Sequence, residues 1–422
     1  MNPLSGFNPF SFFRNCIDKP AVAAVTRRCA AFPVGGKRLK TGNTSYIRNL
    51  NRKIILEKMI EHQSISRAEL SKITGLNKAT VSSQVASLLE EGLVVENTSI
   101  HSGIGRNPLL LSLNRNAGYS MGIDIDTHAV HILLTDLAGT ALEECHLPVS
   151  DPSYEHVKEM LITKIRELAK GVKPSRYGLI GIGIGVHGIV DKEQRIVFTP
   201  RQKWRNVDLK SDLEAIFKVP VYVENNNNLC AYAEKVFHFD SGNLLCISTY
   251  SGIGMGIILD DAIYKGIDGF AGEVGHMIVV PDGKPCPCGN RGCWEQYASE
   301  KRFLEELCRR KGLPDVPLAE AKRWIRERDP VTLELLHEMA VYLRIGLNNI
   351  INIFNPETIV INGDLYPAYP EMIGHIQKNL TSFMNHYRSI HFSTLGKNAC
   401  VLGACMMNIK NFLGVSRLKL GE

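Results

Sequence analysis

One histidine and three cysteines are gathered in a short stretch of this 422-residue chain. His276 is followed by Cys286, Cys288 and Cys293, and a Cys₃His set is one of the ligand sets of a closed, tetrahedral structural zinc site. A disulfide with a spare thiol, or three unrelated buried cysteines, would be the alternatives. Neither explains the clustering, and a disulfide is not expected in a reducing compartment. The spacing therefore predicts one structural Zn²⁺ per chain.

Two glutamates flank this set. Glu273 lies three residues before the histidine, and Glu295 lies two residues after the last cysteine. A bound ion would hold both carboxylates and one edge of the imidazole in fixed relative positions.

The stretch from Gly272 to Ser299 resembles the signature of the ROK family of repressors and sugar kinases. It contains Gly-Glu-x-Gly-His, then Cys-x-Cys-Gly-x-x-Gly-Cys, then Glu-x-x-x-Ser, and the resemblance extends from about Gly118 to the C-terminus. It implies a structural zinc and a two-lobed, actin-like, hexokinase-type fold with sugar held between the lobes. It also implies that Glu273, His276 and Glu295 contact sugar hydroxyls.

The catalytic carboxylate of the family's kinases has no counterpart here. Where those kinases read Glu-Asn-Asp-Ala-Asn, this chain reads Glu224-Asn-Asn-Asn-Asn228, so Asn226 replaces the base. An amide can hydrogen-bond a hydroxyl but cannot take its proton. The first turn that binds phosphate in the family's kinases has lost both of its glycines in this chain. Asp126 places negative charge where a phosphate would sit. We therefore expect no catalytic residue and no enzyme.

The sugar-side positions are largely kept, which is expected of a protein that binds a sugar without phosphorylating it. We expect Asn225 and Asn226 to contact the ligand and Gly188 to let the backbone approach the sugar closely. An ordinary helix N-terminus is the structural alternative for residues 225–228, with Asn228 as a cap.

The N-terminal part of the chain is basic, whereas the rest is slightly acidic. The first 115 residues hold 16 Lys and Arg against 7 Asp and Glu, a net charge of +9, while the whole chain carries +6. Within this part, helices are predicted at 46–62, 67–74 and 78–91, and the apolar side of the first includes Ile47 and Leu50. Ser66 and Glu69 form a capping-box pattern at the start of the second. A glycine turn between two short helices indicates a helix-turn-helix.

The third of these helices is the predicted recognition helix. Small and amide side chains suit base edges in a major groove. The expected DNA contacts at the start and on the exposed face of this helix are Asn77, Lys78, Thr80, Ser83, Gln84 and Ser87. Two strands then form a hairpin whose tip, residues 101–108, reads as a wing, and there Arg106 is expected to reach a phosphate or the minor groove. A helical hairpin used only for oligomer contacts is the alternative.

From Gly118 onward, predicted strands alternate with helices, which indicates an α/β fold of two lobes. We expect a disordered leader at 1–40 and a winged helix-turn-helix at 41–115. We expect lobe 1 at 116–240, joined by a C-terminal helix at 400–422, and lobe 2 with the zinc loop at 241–399. Natural translation starting near Val34 or Leu39 is a further hypothesis for the leader.

A winged helix-turn-helix ahead of a ROK body without its catalytic base is the arrangement of the family's repressors. Further stretches, such as Ile196-Val-Phe-Thr-Pro200 and Trp204 to Ser211, resemble a group of these repressors that respond to xylose. We therefore expect a homodimer, or a dimer of dimers, on palindromic operator DNA, released by a sugar effector, xylose first. Control by another sugar or by a protein partner, or an active sugar kinase, are the alternatives.

Composition limits where the protein can work. No apolar run approaches the roughly 18 residues that a membrane helix needs, so no membrane association is expected. Eleven cysteines without a secretory signal point to a reducing compartment. We expect a bacterial, cytoplasmic, nucleoid-associated protein.

Overall fold

The computed structural model describes residues 44–98 and 109–420. The expected leader, the wing tip and Arg106 lie outside the described residues. Contacts between Cα atoms divide the chain into Met1–Ile47 and Arg48–Glu422, and the second forms one compact unit.

The described elements follow one another in the order of the prediction. The helices are α1 (Thr44–His62), α2 (Arg67–Thr74), α3 (Lys78–Glu90), α4 (Tyr154–Gly171), α5 (Leu209–Phe217), α6 (Asn226–Phe237), α7 (Glu295–Ala298), α8 (Glu300–Lys311), α9 (Leu318–Arg326), α10 (Pro330–Phe354), α11 (Met372–Lys378) and α12 (Ala399–Leu413). The strands are β1 (Ile65–Ser66), β2 (Val94–Thr98), β3 (Leu109–Leu113), β4 (Tyr119–Ile125), β5 (Ala129–Asp136), β6 (Ala141–Pro148), β7 (Leu179–Val186), β8 (Ile189–Val190), β9 (Ile196–Phe198), β10 (Arg205–Val207), β11 (Val221–Asn225), β12 (Leu244–Ser248), β13 (Gly254–Leu259), β14 (Ala262–Ile263), β15 (Thr358–Asn362) and β16 (Ser389–Phe392).

Helices α1 to α3 and the sheet β1-β3-β2 form a winged helix-turn-helix. The capping box at Ser66 is confirmed, because its hydroxyl accepts from the backbone N–H of Glu69 and the Glu69 carboxylate accepts from Ser66 in return. Gly75 then turns the chain in the left-handed conformation that glycine adopts without strain. Helix α1 departs from the prediction, since Ile47 and Leu50 are exposed. Its buried residues are Ile55, Leu56, Met59 and Ile60.

Two five-stranded mixed sheets carry the rest of the chain. The first has the order β11-β7-β4-β5-β6, and the second has the order β14-β13-β12-β15-β16. Strand β7 is apolar along its whole length and is buried between parallel neighbours, as expected for a strand covered on both faces. Helix α4 covers one face of the first sheet with an apolar stripe. Helix α10 supplies a matching stripe to the core of the second sheet.

Helix α12 covers the other face of the first sheet and also packs against α6. The approach to β4 is so close that a Cβ atom at Gly122 would lie 2.0 Å from the carbonyl oxygen of Val401. Asn408 of α12 is buried, and its side-chain amide donates to the carbonyls of Met121 and Gly181. These contacts hold α12 on the first sheet, and so they also fix where the residues after α12 begin.

The residues after α12 pack against the winged helix-turn-helix module. Apolar residues of α12 and of the tail after it share one core with α1 and α3. The carboxylate of Glu57 on α1 accepts the backbone N–H groups of Ser416, at 2.6 Å, and of Arg417, at 3.1 Å. The end of α3 is held as well, because Arg176 and Tyr177 donate to the carbonyls of Glu90 and Glu91. The module is thus fixed to the body at two of its helices.

The boundaries placed at 115, 240 and 399 stay a prediction. The packing of α12 on the first sheet agrees with the expected return of the C-terminal helix to lobe 1.

Gly122→Ala is expected to destabilise the protein by about 1–3 kcal/mol, because the added methyl group would force the backbones of β4 and α12 apart. The midpoint of thermal unfolding should fall. Gly374→Ala is the control, since no atom beyond its chain neighbours and the backbone of its own helix lies within 4 Å of its Cβ position, and α11 favours alanine. Equal midpoints for both variants would contradict the close approach of α12.

Candidate functional site

The four predicted metal ligands meet in one cluster. Each of His276, Cys286, Cys288 and Cys293 offers a ligand atom, and these atoms all lie within 4.8 Å of one another. The Nδ1 atom of His276 is 3.6 Å from the sulfur of Cys286, and the sulfurs of Cys288 and Cys293 are 3.7 Å apart.

These separations fit a tetrahedral metal ion. Zinc bonds of about 2.3 Å to sulfur and about 2.0–2.1 Å to nitrogen place neighbouring ligand atoms roughly 3.5–3.8 Å apart. A disulfide needs a sulfur–sulfur distance of about 2.05 Å, and all three cysteines are free thiols. The donor set therefore suits a four-coordinate metal and leaves no place for a water ligand.

Both flanking glutamates lie beside the histidine. Nε2 of His276 is 3.9 Å from a carboxylate oxygen of Glu273, and Nδ1 is 3.9 Å from one of Glu295. Burial raises the pKa of Glu273, and the neighbouring imidazole of His276 partly offsets this increase. The residues 273, 276 and 295 thus form one polar group at the edge of the metal cluster, as the sequence predicts.

The asparagine run and the segment that carries Glu273 contact the same strand, β13. Helix α6, which begins at Asn226, packs against β13. The segment that carries Glu273 contacts the same strand, and the N–H of Met255 donates to the carbonyl of Gly272 at 3.0 Å. Strand β13 is therefore a neighbour of both Glu273 and Asn226, which are predicted to contact the sugar.

Asn225 and Gly188 have structural tasks that the sequence did not reveal. Asn225 caps α6, because its side-chain oxygen accepts from the N–H groups of Asn227 and Asn228, and its amide donates to the carbonyl of Gly188. The cap is thus Asn225 and not Asn228, whose own amide donates to Glu224. At Gly188 a Cβ atom would lie 2.3 Å from the carbonyl oxygen of Phe198. The backbone of this chain therefore approaches Gly188 closely, and the predicted contact of Gly188 with a sugar stays a prediction.

Asn226 lines a cavity of about 920 Å³. Six acidic side chains line this cavity, together with the cationic side chains of Arg201, Lys301 and Lys397. The acidic residues are Asp124, Asp126, Glu300, Glu305, Asp315 and Asp364. The cluster residues His276, Cys286, Cys288 and Cys293 are not among its lining residues. Asn226 thus contributes to the wall of this cavity, and its predicted contact with a sugar stays a prediction.

His187 is a residue of this cavity that the sequence did not single out. Its Nε2 is 3.2 Å from a carboxylate oxygen of Asp124, 63 residues away along the chain. Burial disfavours the charged ring, but the carboxylates of Asp124 and Asp126 outweigh this and raise the pKa of His187. Asp124 is thus already paired with a basic side chain of the protein.

The recognition helix presents most, but not all, of the predicted DNA contacts. Lys78 and Ser83 are exposed, and Thr80 and Ser87 are half-buried. Asn77 is exposed too, and its side-chain oxygen caps the helix by accepting from the N–H of Thr80. Ser87 donates to the carboxylate of Glu91.

Gln84 is a correction, because its side chain is only 6% exposed and lies inside the module. It lies on the same face as Val81, Val85 and Leu88, at the helical spacing of a buried stripe. Ser82 takes its place on the exposed face. The helical spacing of Val81, Val85 and Leu88 indicates that position 84 is buried, whereas the polarity of glutamine suggested that it is exposed.

The comparisons with known proteins come from two directions. A sequence model of the ROK family matches residues 120–411, and one described as winged helix-turn-helix DNA-binding matches residues 48–95. A xylose repressor of Bacillus spizizenii is 41% identical over 381 residues, which cover 89% of this chain and 98% of that protein. The chain belongs to the ROK family.

Solved structures agree with the fold. A ROK transcriptional regulator, described as a homologue of the E. coli MLC protein, superposes with a TM-score of 0.72 at 27% identity, over 87% of this chain and 96% of its own. A ROK glucokinase from Streptomyces griseus, in complex with glucose and AMPPNP, gives 0.62 at 26% identity over 69% and 99%. The predicted fold, a winged helix-turn-helix followed by an actin-like, hexokinase-type body, is confirmed. Among the described helices, none is long and apolar enough to cross a bilayer.

Glu300 gives the cavity a pH dependence that can be measured. Burial, with repulsion from Asp364, raises its pKa to about 8, while its carboxylate accepts the N–H of Leu365. Between about pH 4.5 and 8 the folded protein keeps a proton that the unfolded chain releases, so this group makes stability fall as pH rises.

Glu300→Gln removes this titration and keeps an oxygen that can accept from Leu365. Relative to the parent, the thermal midpoint of the variant should rise between pH 6 and pH 8.5. Glu305→Gln removes an exposed carboxylate from the same cavity and serves as the control. A constant difference between Glu300→Gln and the parent across this range would contradict the raised pKa.

Proposed function

We propose that this chain is a sugar-responsive, DNA-binding transcriptional repressor of a bacterial cytoplasm, and that xylose is its first candidate effector. The observation that carries this proposal is a winged helix-turn-helix fixed to a ROK body whose catalytic carboxylate is an amide, Asn226. The similarity to xylose repressors over most of the chain supports the choice of xylose.

The protein is proposed to bind sugar without phosphorylating it. Transfer of a phosphoryl group needs a base that accepts the hydroxyl proton, and the amide of Asn226 cannot do so. Asp124 is paired with His187, and Asp126 adds a second negative charge to the cavity wall. The missing base, with the loss of both glycines at the first phosphate turn, supports a binding protein over a kinase.

The Cys/His cluster is proposed to hold one structural zinc ion. His276, Cys286, Cys288 and Cys293 would be its ligands, and the ion would supply a rigid, redox-inert cross-link. Because Glu273 and Glu295 lie 3.9 Å from the same imidazole, fixing the ring would also fix the two carboxylates for sugar hydroxyls.

Sugar binding is proposed to act on DNA through packed elements. A ligand held by Glu273, His276 and Glu295 on one side and by Asn225 and Asn226 on the other would draw the lobes together. Helix α6 begins at Asn226 and packs on α12. Helix α12 continues into the tail, whose backbone N–H groups donate to the carboxylate of Glu57 on α1. The sugar releases DNA only to the extent that it binds the closed form more tightly.

The operator is proposed to be palindromic and the repressor a homodimer or a dimer of dimers. Two recognition helices would then enter major grooves about 34 Å apart. Lys78, Thr80, Ser83 and the predicted wing residue Arg106 would contact this DNA, and the positive charge of the module would make the affinity salt-dependent.

Fluorescence anisotropy on DNA from the native promoter region tests the function directly. Xylose should release the protein, whereas glucose and N-acetylglucosamine should not. In Glu273→Gln, DNA binding should persist while the xylose concentration for half-release rises about 10- to 100-fold, because a charge-assisted hydrogen bond is lost. Glu327→Gln, an exposed glutamate after α9, is the control.

Other outcomes separate the remaining functions. DNA binding that is indifferent to every sugar would move control to another ligand or a protein partner. Sugar-dependent formation of ADP from ATP would overturn the assignment as a non-enzyme.

Cys288→Ser tests the zinc proposal, since it removes one ligand from the exposed part of the cluster. Elemental analysis should find one zinc ion per chain in the parent and none in the variant, and xylose should no longer release the DNA of the variant. Cys308→Ser, in α8 and outside the cluster, should keep both the metal and the response. Retained zinc and normal release of DNA by xylose in Cys288→Ser would contradict the zinc proposal.

A further inference from the structure

A second group of metal-binding side chains lies on the first sheet, apart from the Cys/His cluster. His131 is on β5, and His146 faces it in register on the neighbouring strand β6. Glu144 precedes His146 by two residues, so its side chain lies on the same face of the sheet. The pairing of two strands thus places two imidazoles and one carboxylate side by side.

The ligand atoms converge. Nε2 of His131 is 2.8 Å and Nε2 of His146 is 3.4 Å from the same oxygen of Glu144. The two rings are stacked with centroids 4.1 Å apart, and one ligand atom from each residue lies within 4.8 Å of the other two. Bonds of about 2.0–2.2 Å to a metal place neighbouring ligands roughly 2.9–3.5 Å apart, so little movement would be needed.

The surroundings suit a cation with open coordination positions. His131 and His146 both line the cavity of about 920 Å³, together with His128. Asp124, which faces His131 across β4 and β5, adds negative charge to the same wall. Three protein ligands leave a metal with further positions, and the cavity gives water or a small ligand access to them.

We propose that His131, Glu144 and His146 bind a divalent transition-metal ion. Two imidazoles and a carboxylate suit Zn²⁺, Ni²⁺ or Cu²⁺ rather than Ca²⁺ or Mg²⁺, which prefer oxygen ligands alone. This site differs from the Cys/His cluster in having no sulfur ligand and in opening on the cavity.

Calorimetric titration with Ni²⁺ tests the proposal on the full-length chain, adjusted beforehand to one zinc ion per chain, which the Cys/His cluster would take, and freed of excess metal. One additional Ni²⁺ should bind per chain. Zinc is measured by elemental analysis after the titration, because Ni²⁺ that merely replaced zinc would release an equal amount of it. That exchange, or the absence of an additional Ni²⁺, would overturn the proposal.

His146→Gln removes a ligand from an edge strand whose side chains are largely exposed, so the fold should persist. Its affinity for Ni²⁺ should fall at least about 10- to 100-fold, the loss that even a supporting residue of a metal site produces. His156→Gln, an exposed histidine on α4, should bind as the parent does.

Glu144→Gln provides a second, independent variant, and thermal unfolding confirms that each variant is folded. Parent-like affinity in both His146→Gln and Glu144→Gln would assign the Ni²⁺ to another place and refute the site.

Discussion

The backbone contact between helix α12 and strand β4 is the constraint on which the arrangement of this protein depends. It is possible only because position 122 has no side chain, so the carbonyl of Val401 occupies the space of a Cβ atom. The same helix packs on α6, which carries Asn226 at its first turn, and continues into the tail that meets α1. Helix α12 and its tail therefore contact both the helix that begins at Asn226 and the winged helix-turn-helix module.

Local spacing predicted the metal cluster well, because three of its four ligands lie within eight residues. His276 lies ten residues before Cys286 and belonged to the same prediction, because a fourth ligand was needed to close a tetrahedral site. The geometry of 3.6 and 3.7 Å between ligand atoms then agrees with the prediction. The capping box at Ser66 was readable for the same reason, since both partners lie within one helical turn.

Contacts between distant residues were not accessible in this way. Nothing in the sequence pairs His187 with Asp124, and nothing shows that the space at Gly188 is filled by Phe198. Gln84 is a different case, because its spacing from Val81 and Val85 indicated burial while its polarity suggested exposure. The site residues themselves, and the boundaries of the lobes, stay predictions that the proposed experiments address.

The shared core of the DNA-binding module and the C-terminal tail has a consequence for how such repressors can be recombined. Leu413, Val415 and Leu418 are buried among residues of α1 and α3, more than 300 positions earlier in the chain. The module cut out alone would expose that apolar surface to water and lose the partner of Glu57. A chimaera that joins this module to the body of a relative must therefore inherit both ends of the parent chain, since the DNA-reading unit is continuous in space but not in sequence.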